Sequence, residues 1–119
     1  MISVQIAMNG ELVRDALAES LRQAGGIDVR AETADGDAGA DFARRSRSDV
    51  VVLGEPPWGT HARWVAAYRE AAPASKVVLL LIGSLAVDLD GDAGADAVVE
   101  AGDGLAELAA AIRRVVRAT

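Results

Sequence analysis

The stretch Ser48–Gly54 reads SDVVVLG and decides the fold. Four apolar residues, three of them β-branched, stand in an unbroken row between two polar residues and a glycine. A strand with one face in water alternates apolar and polar residues, whereas a strand in the middle of a parallel sheet has helices over both faces and is apolar throughout. The stretch therefore predicts a central strand of a parallel sheet.

Strand and helix patterns alternate on both sides of this stretch. The interval 82–95 is rich in Asp and Gly and predicts only a short or irregular fourth helix. Strand and helix in regular alternation predict an α/β fold in which a parallel sheet lies between two layers of helices. The further predicted strands are Ile2–Met8, Ile27–Thr33, Lys76–Gly83 and Asp96–Ala101, and the predicted helices cover 11–25, 37–47, 60–72 and 103–119.

The helical intervals also predict which side chains face the core. The first and last helices each carry an apolar stripe, and aromatic residues mark the two helices between them. Asn9 and Asp103 are predicted N-caps, and His61 is predicted to lie on the surface. The predicted core residues are Leu12, Ala16, Leu17 and Leu21, then Phe42, then Trp64, Val65 and Tyr68, and finally Leu105, Leu108, Ala109, Ile112, Val115 and Val116.

Composition narrows the class of protein. The chain has 119 residues, 51% of them hydrophobic, which suits one domain with a core of small aliphatic side chains. Its net charge is −6 and its basic residues are scattered, so we expect no direct nucleic-acid binding by this domain. No cysteine, signal peptide or membrane-length apolar run is present in the sequence, and a cytoplasmic location is the default expectation.

Several segments, taken in order, resemble the receiver domain of bacterial response regulators, which has the CheY-like (flavodoxin-like) fold. These are SVQIAMNGELVRDAL, ETADGDAGADFARRSRSDVVVLGEPPWG and GADAVVEAGDGLAELAAAIRRVV. They are most similar to receivers of LuxR/NarL-type transcriptional regulators. The resemblance covers essentially the whole chain. It implies a single (βα)5 domain over residues 1–119, with a five-stranded sheet in the order 2-1-3-4-5.

An ordinary receiver carries its chemistry on five residues, and all five differ here. An acidic pair and an acceptor Asp bind Mg²⁺ through carboxylate oxygens, and a hydroxyl and a lysine contact the phosphoryl group on the acceptor. The resemblance puts the acceptor at Gly54, which has no side chain. It therefore implies a degenerate phosphorylation pocket without metal or cofactor, formed by Met8 and Asn9 (acidic pair), Gly54 (acceptor), Leu81 (hydroxyl) and Ala101 or Glu100 (lysine).

Two neighbouring residues have alternative interpretations. Trp58 lies on the predicted loop above the pocket, where it is either a contact for a small apolar ligand or partner protein, or a filler of the vacated pocket. Glu55 follows the lost acceptor and is a candidate phosphate mimic. That interpretation is disfavoured because the next residue along a strand points to the opposite face.

The heptapeptide DGDAGAD occurs twice, at Asp35–Asp41 and at Asp90–Asp96. A calcium loop beginning at Asp88 would need Gly at its sixth position and Glu at its twelfth, and these positions hold Ala93 and Val99. The first copy is predicted to open a helix and the second to form a turn before a strand. We therefore expect two structural roles and no metal site.

These observations favour a regulatory protein and not an enzyme, since a lone Gly10 replaces any glycine-rich phosphate loop. The main hypothesis is a phosphorylation-independent pseudo-receiver that works as a regulatory and dimerisation module. The resemblance implies self-association through the first or last helix, and an attached helix-turn-helix output domain if the protein is longer. The alternatives are a sensor of a small apolar ligand beside Met8, Trp58 and Leu81, or a stand-alone adaptor that binds partner proteins.

Overall fold

A computed structural model describes residues 1–56, 59–82 and 93–118. It contains one parallel sheet in the order β2-β1-β3-β4-β5, as predicted. The strands are β1 (Ile2–Met8), β2 (Ile27–Thr33), β3 (Val50–Gly54), β4 (Lys76–Leu81) and β5 (Ala97–Glu100). The helices are α1 (Glu11–Gln23), α2 (Gly36–Ser46), α3 (His61–Ala71) and α4 (Leu105–Arg117). The short helix predicted between β4 and β5 falls mainly on 83–92, outside the described residues.

Strand β3 is the centre of the sheet, as its apolar run predicts. All five of its residues are buried, and it pairs with β1 on one side and β4 on the other. Ser3 and Asp49 fix the pairing of β1 with β3 at the amino-terminal end of these strands, opposite to the end where Gly54 lies. The Ser3 N–H donates to Asp49 Oδ2 at 2.9 Å, and the Asp49 N–H donates to Ser3 Oγ at 2.8 Å.

The two faces of the sheet carry separate hydrophobic cores. Helices α1 and α4 cover one face, which includes Met8, Val52 and Leu80. Helices α2 and α3 cover the other face, which includes Leu53 and Leu81. Alternate residues of each strand thus enter different cores, as strand geometry requires. Whether a residue near the end of a strand faces one core or the other therefore depends on whether its position along the strand is odd or even.

The apolar stripe of α1 lies in a different position from the predicted one. Leu17 and Leu21 are buried as predicted, but Leu12 and Ala16 are exposed, and Ala18 takes their place in the core. Small Ala18 lets the helix approach the sheet closely on that side. The large residue Leu12, at 86% exposure, is left in solvent.

Helix α2 buries its smallest residues, and Phe42 is not its main core residue. Phe42 is half-buried, whereas Gly39, Ala40 and Ala43 are buried. The reason is the position of Tyr68, which is fully buried on α3 and donates a hydrogen bond to the Gly36 carbonyl at 3.3 Å. A Cβ at Gly39 would lie 2.1 Å from Tyr68 Oη, so only glycine fits there.

Both predicted N-caps are wrong by one residue. Gly10 caps α1 with φ 86°, and Gly104 caps α4 with φ 92°. These φ values lie in the left-handed region, which glycine adopts without a steric penalty. Asn9 is left exposed, and Asp103 belongs to a 3₁₀ turn over Ala101–Asp103.

The carboxyl-terminal end of α4 carries arginines that bond to main-chain carbonyl groups. Arg117 donates to the Arg113 carbonyl at 3.3 Å, within the last turn of the helix. Arg113 itself donates to the carbonyls of Ala24 and Gly25, at 2.8 and 2.9 Å. One arginine of α4 therefore satisfies carbonyl groups at the carboxyl end of α1 and joins the two helices.

The described parts of the two DGDAGAD copies have different structural roles, as predicted. Gly39 and Ala40 of the first copy lie in α2, and Gly94 of the second lies in a turn with φ 85°. Asp96 ends the second copy and accepts the Val77 N–H at 2.8 Å while pairing with Arg69 at 3.0 Å. In the described part of the chain, no helix has the length and apolarity that crossing a bilayer requires.

Candidate functional site at the carboxyl edge of the sheet

Parallel strands end at a common edge, and this edge collects most of the predicted site residues. In the strand register Met8 lies opposite Gly54, Gly54 opposite Leu80, and Leu81 opposite Glu100. Ala101 follows in the 3₁₀ turn, where it is exposed. The fold thus brings the ends of β1, β3, β4 and β5 together as predicted.

Met8 occupies the space beside Gly54. Its side chain is 1% exposed, and a Cβ at position 54 would lie 2.3 Å from its Cε, 2.8 Å from its Cγ and 2.9 Å from its Cβ. Distances below 3.0 Å are incompatible with van der Waals contact, so Met8 and any side chain at position 54 exclude each other. Positions 8 and 54 therefore form one packing arrangement, in which the Met8 thioether side chain fills the volume beside Gly54.

A fixed positive charge lies beside the end of β1. Arg14 of α1 donates from Nη1 to the Met8 carbonyl at 3.1 Å, and its buried Nε has no hydrogen-bond partner in the described residues. A guanidinium at this point repels a second cation. No group of three or more metal-ligating side chains occurs within 1–56, 59–82 and 93–118.

Glu55 and His61 form a second polar feature of the edge. Glu55 follows β3, and its Oε2 accepts the Ile82 N–H at 2.5 Å just beyond β4. Its Oε1 lies 3.9 Å from His61 Nε2. His61 is the first residue of α3 and its side chain is 11% exposed, so the prediction of a surface histidine is wrong.

Trp58 lies outside the described residues, so its two interpretations stay predictions. The other aromatic residues of this region pack as predicted: Tyr68 is fully buried and Trp64 is half-buried with the Arg63 guanidinium 5.5 Å from its ring centroid. Burial and the nearby carboxylates of Asp35 and Asp37 raise the pKa of Tyr68 above its ordinary value. Its phenol therefore stays neutral and supplies packing, not acid–base chemistry.

A shallow apolar groove of about 240 Å³ opens between α1 and α4 at the same edge. Four large hydrophobic residues around it are exposed, and within the described residues only Met1 shares that property. Three of the four, Val13, Ile82 and Leu105, line the groove, and Leu12 precedes Val13 on α1. The remaining lining residues are Ala16, Leu17, Ser20, Leu80, Ala101, Gly104 and Leu108.

Comparison with known structures identifies the fold as that of response-regulator receiver domains. A LuxR-family DNA-binding response regulator from Staphylococcus aureus matches with a TM-score of 0.79 and 23% identity, over 98% of this chain and 99% of that chain. The receiver domain of the putative response regulator NarL from Mycobacterium tuberculosis matches with a TM-score of 0.81 and 21% identity, over 99% and 98%. RcsB from Salmonella enterica matches with a TM-score of 0.81 and 16% identity, over 98% and 60%.

The first two of these structures are described as response regulators, and the chain shares the fold of all three. The RcsB structure was determined bound to promoter rprA in the presence of the phosphomimetic BeF3−. No protein-family model matches the chain, and no curated protein matches it.

Sequence reasoning missed Arg14 and the Glu55–His61 contact as parts of this edge. Two sequence signals could have found them. Arg14 is a charged residue one turn into a helix, and Glu55 is a charged residue directly after a strand at the carboxyl edge. The groove was missed because Leu12 and Leu105 were assigned to the core. Their actual exposure follows from how each helix is rotated on the sheet, which apolar spacing alone does not specify.

Proposed function

We propose that this chain is a pseudo-receiver: a single receiver-like domain over residues 1–119 that regulates by self-association and without phosphorylation, as part of a transcriptional regulator. The observation that carries the proposal is the packing of Met8 against Gly54, with Met8 1% exposed. The five positions Met8, Asn9, Gly54, Leu81 and Ala101 are then a degenerate phosphorylation pocket.

Chemistry supports this assignment at each step of phosphotransfer. Gly54 provides no nucleophile, and Met8 and Asn9 provide no carboxylate for the hard oxygen ligation that Mg²⁺ requires. The Arg14 guanidinium at the Met8 carbonyl further disfavours a divalent cation. The domain is on this view a regulatory module and not an enzyme.

We expect that the protein does not respond to Mg²⁺ and beryllofluoride, because no carboxylate is present to bind them. The measurement is tryptophan fluorescence of a Trp64→Phe variant, which leaves Trp58 as the sole tryptophan. Intact mass after incubation with acetyl phosphate and Mg²⁺ is the companion measurement and should be unchanged. A saturable fluorescence change, or a mass increase of one phosphoryl group, contradicts the proposal.

The surface that we assign to self-association is the α1/α4 face, defined by Leu12, Val13, Ile82 and Leu105. Three of these exposed residues line one apolar groove, and apolar residues grouped on a surface in this way mark interaction sites. The groove itself, at about 240 Å³, is smaller than a typical pocket for a drug-sized ligand. The rim residue Leu12 stands out at 86% exposure, which suits contact with a second protein surface.

The charges at the ends of the two helices are compatible with a second copy of this chain. Exposed Glu11 and Glu107 lie in the first turns of α1 and α4, and exposed Arg114 and Arg117 lie in the last turn of α4. Two copies related by a two-fold axis with antiparallel helices would place each acidic end against a basic end. Such complementarity aligns partners and disfavours other orientations.

We expect Leu12→Glu combined with Leu105→Glu to weaken self-association by a factor of about 100, since each buried apolar anchor at an interface typically contributes more than a tenfold change in Kd. Both side chains are exposed in one copy, so folding should be unaffected. Sedimentation equilibrium over a concentration series measures the effect. The matched control is Ala66→Glu, an exposed position of α3 on the opposite face.

A strictly monomeric protein at high concentration would overturn the dimerisation role. Equal association of the double variant and the Ala66→Glu control would move the interface elsewhere and contradict the α1/α4 assignment. Absence of association would favour the adaptor alternative, in which the α1/α4 face binds a different protein.

An attached output domain is better supported than the ligand-sensing alternative. The LuxR-family match from Staphylococcus aureus is described as a DNA-binding response regulator, which supports a helix-turn-helix output domain as a partner of this fold. The apolar-ligand alternative needs space beside Met8 and Leu81, yet these side chains are only 1% and 3% exposed. That alternative is therefore less well supported by the described residues.

A further inference from the structure

Residue Glu55 joins the carboxyl ends of β3 and β4 through two hydrogen bonds. Its main-chain N–H donates to the Leu80 carbonyl at 2.9 Å. Its side-chain Oε2 accepts the Ile82 N–H at 2.5 Å. The main chain of Glu55 thus contacts Leu80 within β4, and its side chain contacts Ile82 just after that strand. Hydrogen bonds to an ionised acceptor are shorter and stronger than neutral ones, so the carboxylate contact dominates the pair.

The backbone of Glu55 is held in an unfavourable conformation. Its φ is 33°, in the left-handed region that residues with a Cβ rarely adopt. Such a conformation persists only where surrounding contacts determine it, and such residues concentrate at functional positions. Here the determining contacts are the bonds to Leu80 and Ile82, because they require the chain to turn immediately after Gly54.

The second oxygen of the carboxylate faces a third element. His61 begins α3, and its Nε2 lies 3.9 Å from Glu55 Oε1. This nitrogen is buried and has no hydrogen-bond partner among the residues that the structure describes. A buried imidazole nitrogen without a partner is unusual, and the Glu55 carboxylate is the charged group that lies 3.9 Å from it. The Glu55 carboxylate therefore lies between β3, β4 and the start of α3.

We propose that Glu55 is a built-in anionic clamp that joins the ends of β3, β4 and α3 and holds the domain in one conformation without a phosphoryl group. The resemblance to receivers implies that a phosphoryl group would lie between the positions of Gly54 and Leu81, which end the same two strands. The clamp deepens the proposed function and rests on it. Because the carboxylate belongs to the chain, it is not removed by hydrolysis as an aspartyl phosphate is.

The test is amide hydrogen exchange at Ile82, measured by NMR on the full chain in wild type, Glu55→Ala and Glu55→Gln. We expect Glu55→Ala to accelerate Ile82 exchange at least about tenfold, the amount that a lost hydrogen bond to a charged group predicts. Glu55→Gln keeps a neutral acceptor and should give a smaller acceleration. The matched control is Glu70→Ala, an exposed glutamate of α3, which should leave Ile82 exchange unchanged.

Relaxation dispersion supplies the second readout, because a clamp that selects one conformation suppresses microsecond–millisecond exchange. Leu81, Ile82 and His61 should show no dispersion in wild type and should show it in Glu55→Ala. Since Glu55 is half-buried, the variant should stay folded. Unchanged Ile82 exchange in Glu55→Ala, or equal dispersion in wild type and variant, overturns the clamp.

The two proposals fail independently. A covalent phosphoryl group on wild type would overturn the phosphorylation-independent function and leave the Ile82 result standing. Unchanged Ile82 exchange would remove the clamp and leave the missing acceptor as the reason that the domain is not phosphorylated.

Discussion

Gly54→Asp is expected to destabilise this domain by about 3–5 kcal/mol without creating a phosphorylation site, because overpacking and burial of an unpaired charge both oppose it. The Met8 Cε lies at the end of a flexible side chain and could move. The Met8 Cβ and Cγ, at 2.9 and 2.8 Å from an added Cβ, are held by the strand. Urea unfolding measures the free energy of unfolding, and intact mass after acetyl phosphate treatment measures phosphorylation.

Two alanine substitutions make this test specific. Gly54→Ala adds only the Cβ and should cost about 1–3 kcal/mol. Gly102→Ala is the matched control, since nothing lies within 4 Å of an added Cβ there and its φ is outside the left-handed region. In a double-mutant cycle, Met8→Ala should recover about 1 kcal/mol of the cost at position 54. A stable, phosphorylated Gly54→Asp protein would disprove the exclusion between Met8 and a side chain at 54.

Tyr68→Ala is expected to cost about 3–5 kcal/mol, the range for truncating a large aromatic side chain in a core. Tyr68 is 0% exposed and is among the largest fully buried side chains. It packs between α2, α3 and the sheet, where Gly39 leaves room for its hydroxyl. Because native proteins are stable by only about 5–15 kcal/mol, the variant should lose a large fraction of its free energy of unfolding.

Tyr68→Phe separates packing from hydrogen bonding at the same position. The hydroxyl makes one long bond, 3.3 Å to the Gly36 carbonyl, so its removal should cost only about 1 kcal/mol. Thermal and urea unfolding of both variants measure the difference. If Tyr68→Phe cost as much as Tyr68→Ala, the hydroxyl and not the ring would be the main source of stability at this position.

The strands were largely predictable because their signal is local. The apolar run Val50–Leu53 requires cover on two faces, and that requirement alone places β3 at the centre of the sheet. Strands β1 and β2 were predicted with the same bounds that the structure shows, Ile2–Met8 and Ile27–Thr33. Sheet order came from the resemblance, since no local pattern distinguishes which neighbour a parallel strand takes.

The helix faces were harder to predict because small residues control how closely helices approach. Gly39 and Ala18 are buried in place of Phe42 and Leu12, since the space there is set by neighbours on other elements. Residue volume in an isolated helix gives no information about Tyr68, which contacts α2 from α3. Core assignments for these helices therefore needed tertiary distances.

The candidate site was likewise predictable only in part. The resemblance predicted which positions lie at the carboxyl edge, and the register of β1, β3 and β4 places them there. It did not predict that Met8 fills the space beside Gly54 or that Glu55 reaches Ile82. The second contact depends on the positive φ of Glu55, and strand alternation, which assumes an extended backbone, gives no indication of it.

The packing of Met8 on Gly54 also has an evolutionary consequence. A descendant of this sequence that gains a carboxylate at position 54 while keeping Met8 passes through a poorly stable protein. One that replaces Met8 first leaves a cavity and gains no chemistry. The two positions are thus epistatic, and a fitness valley separates this sequence from a phosphorylatable one. A stable protein with a carboxylate at position 54 therefore requires substitutions at both positions together.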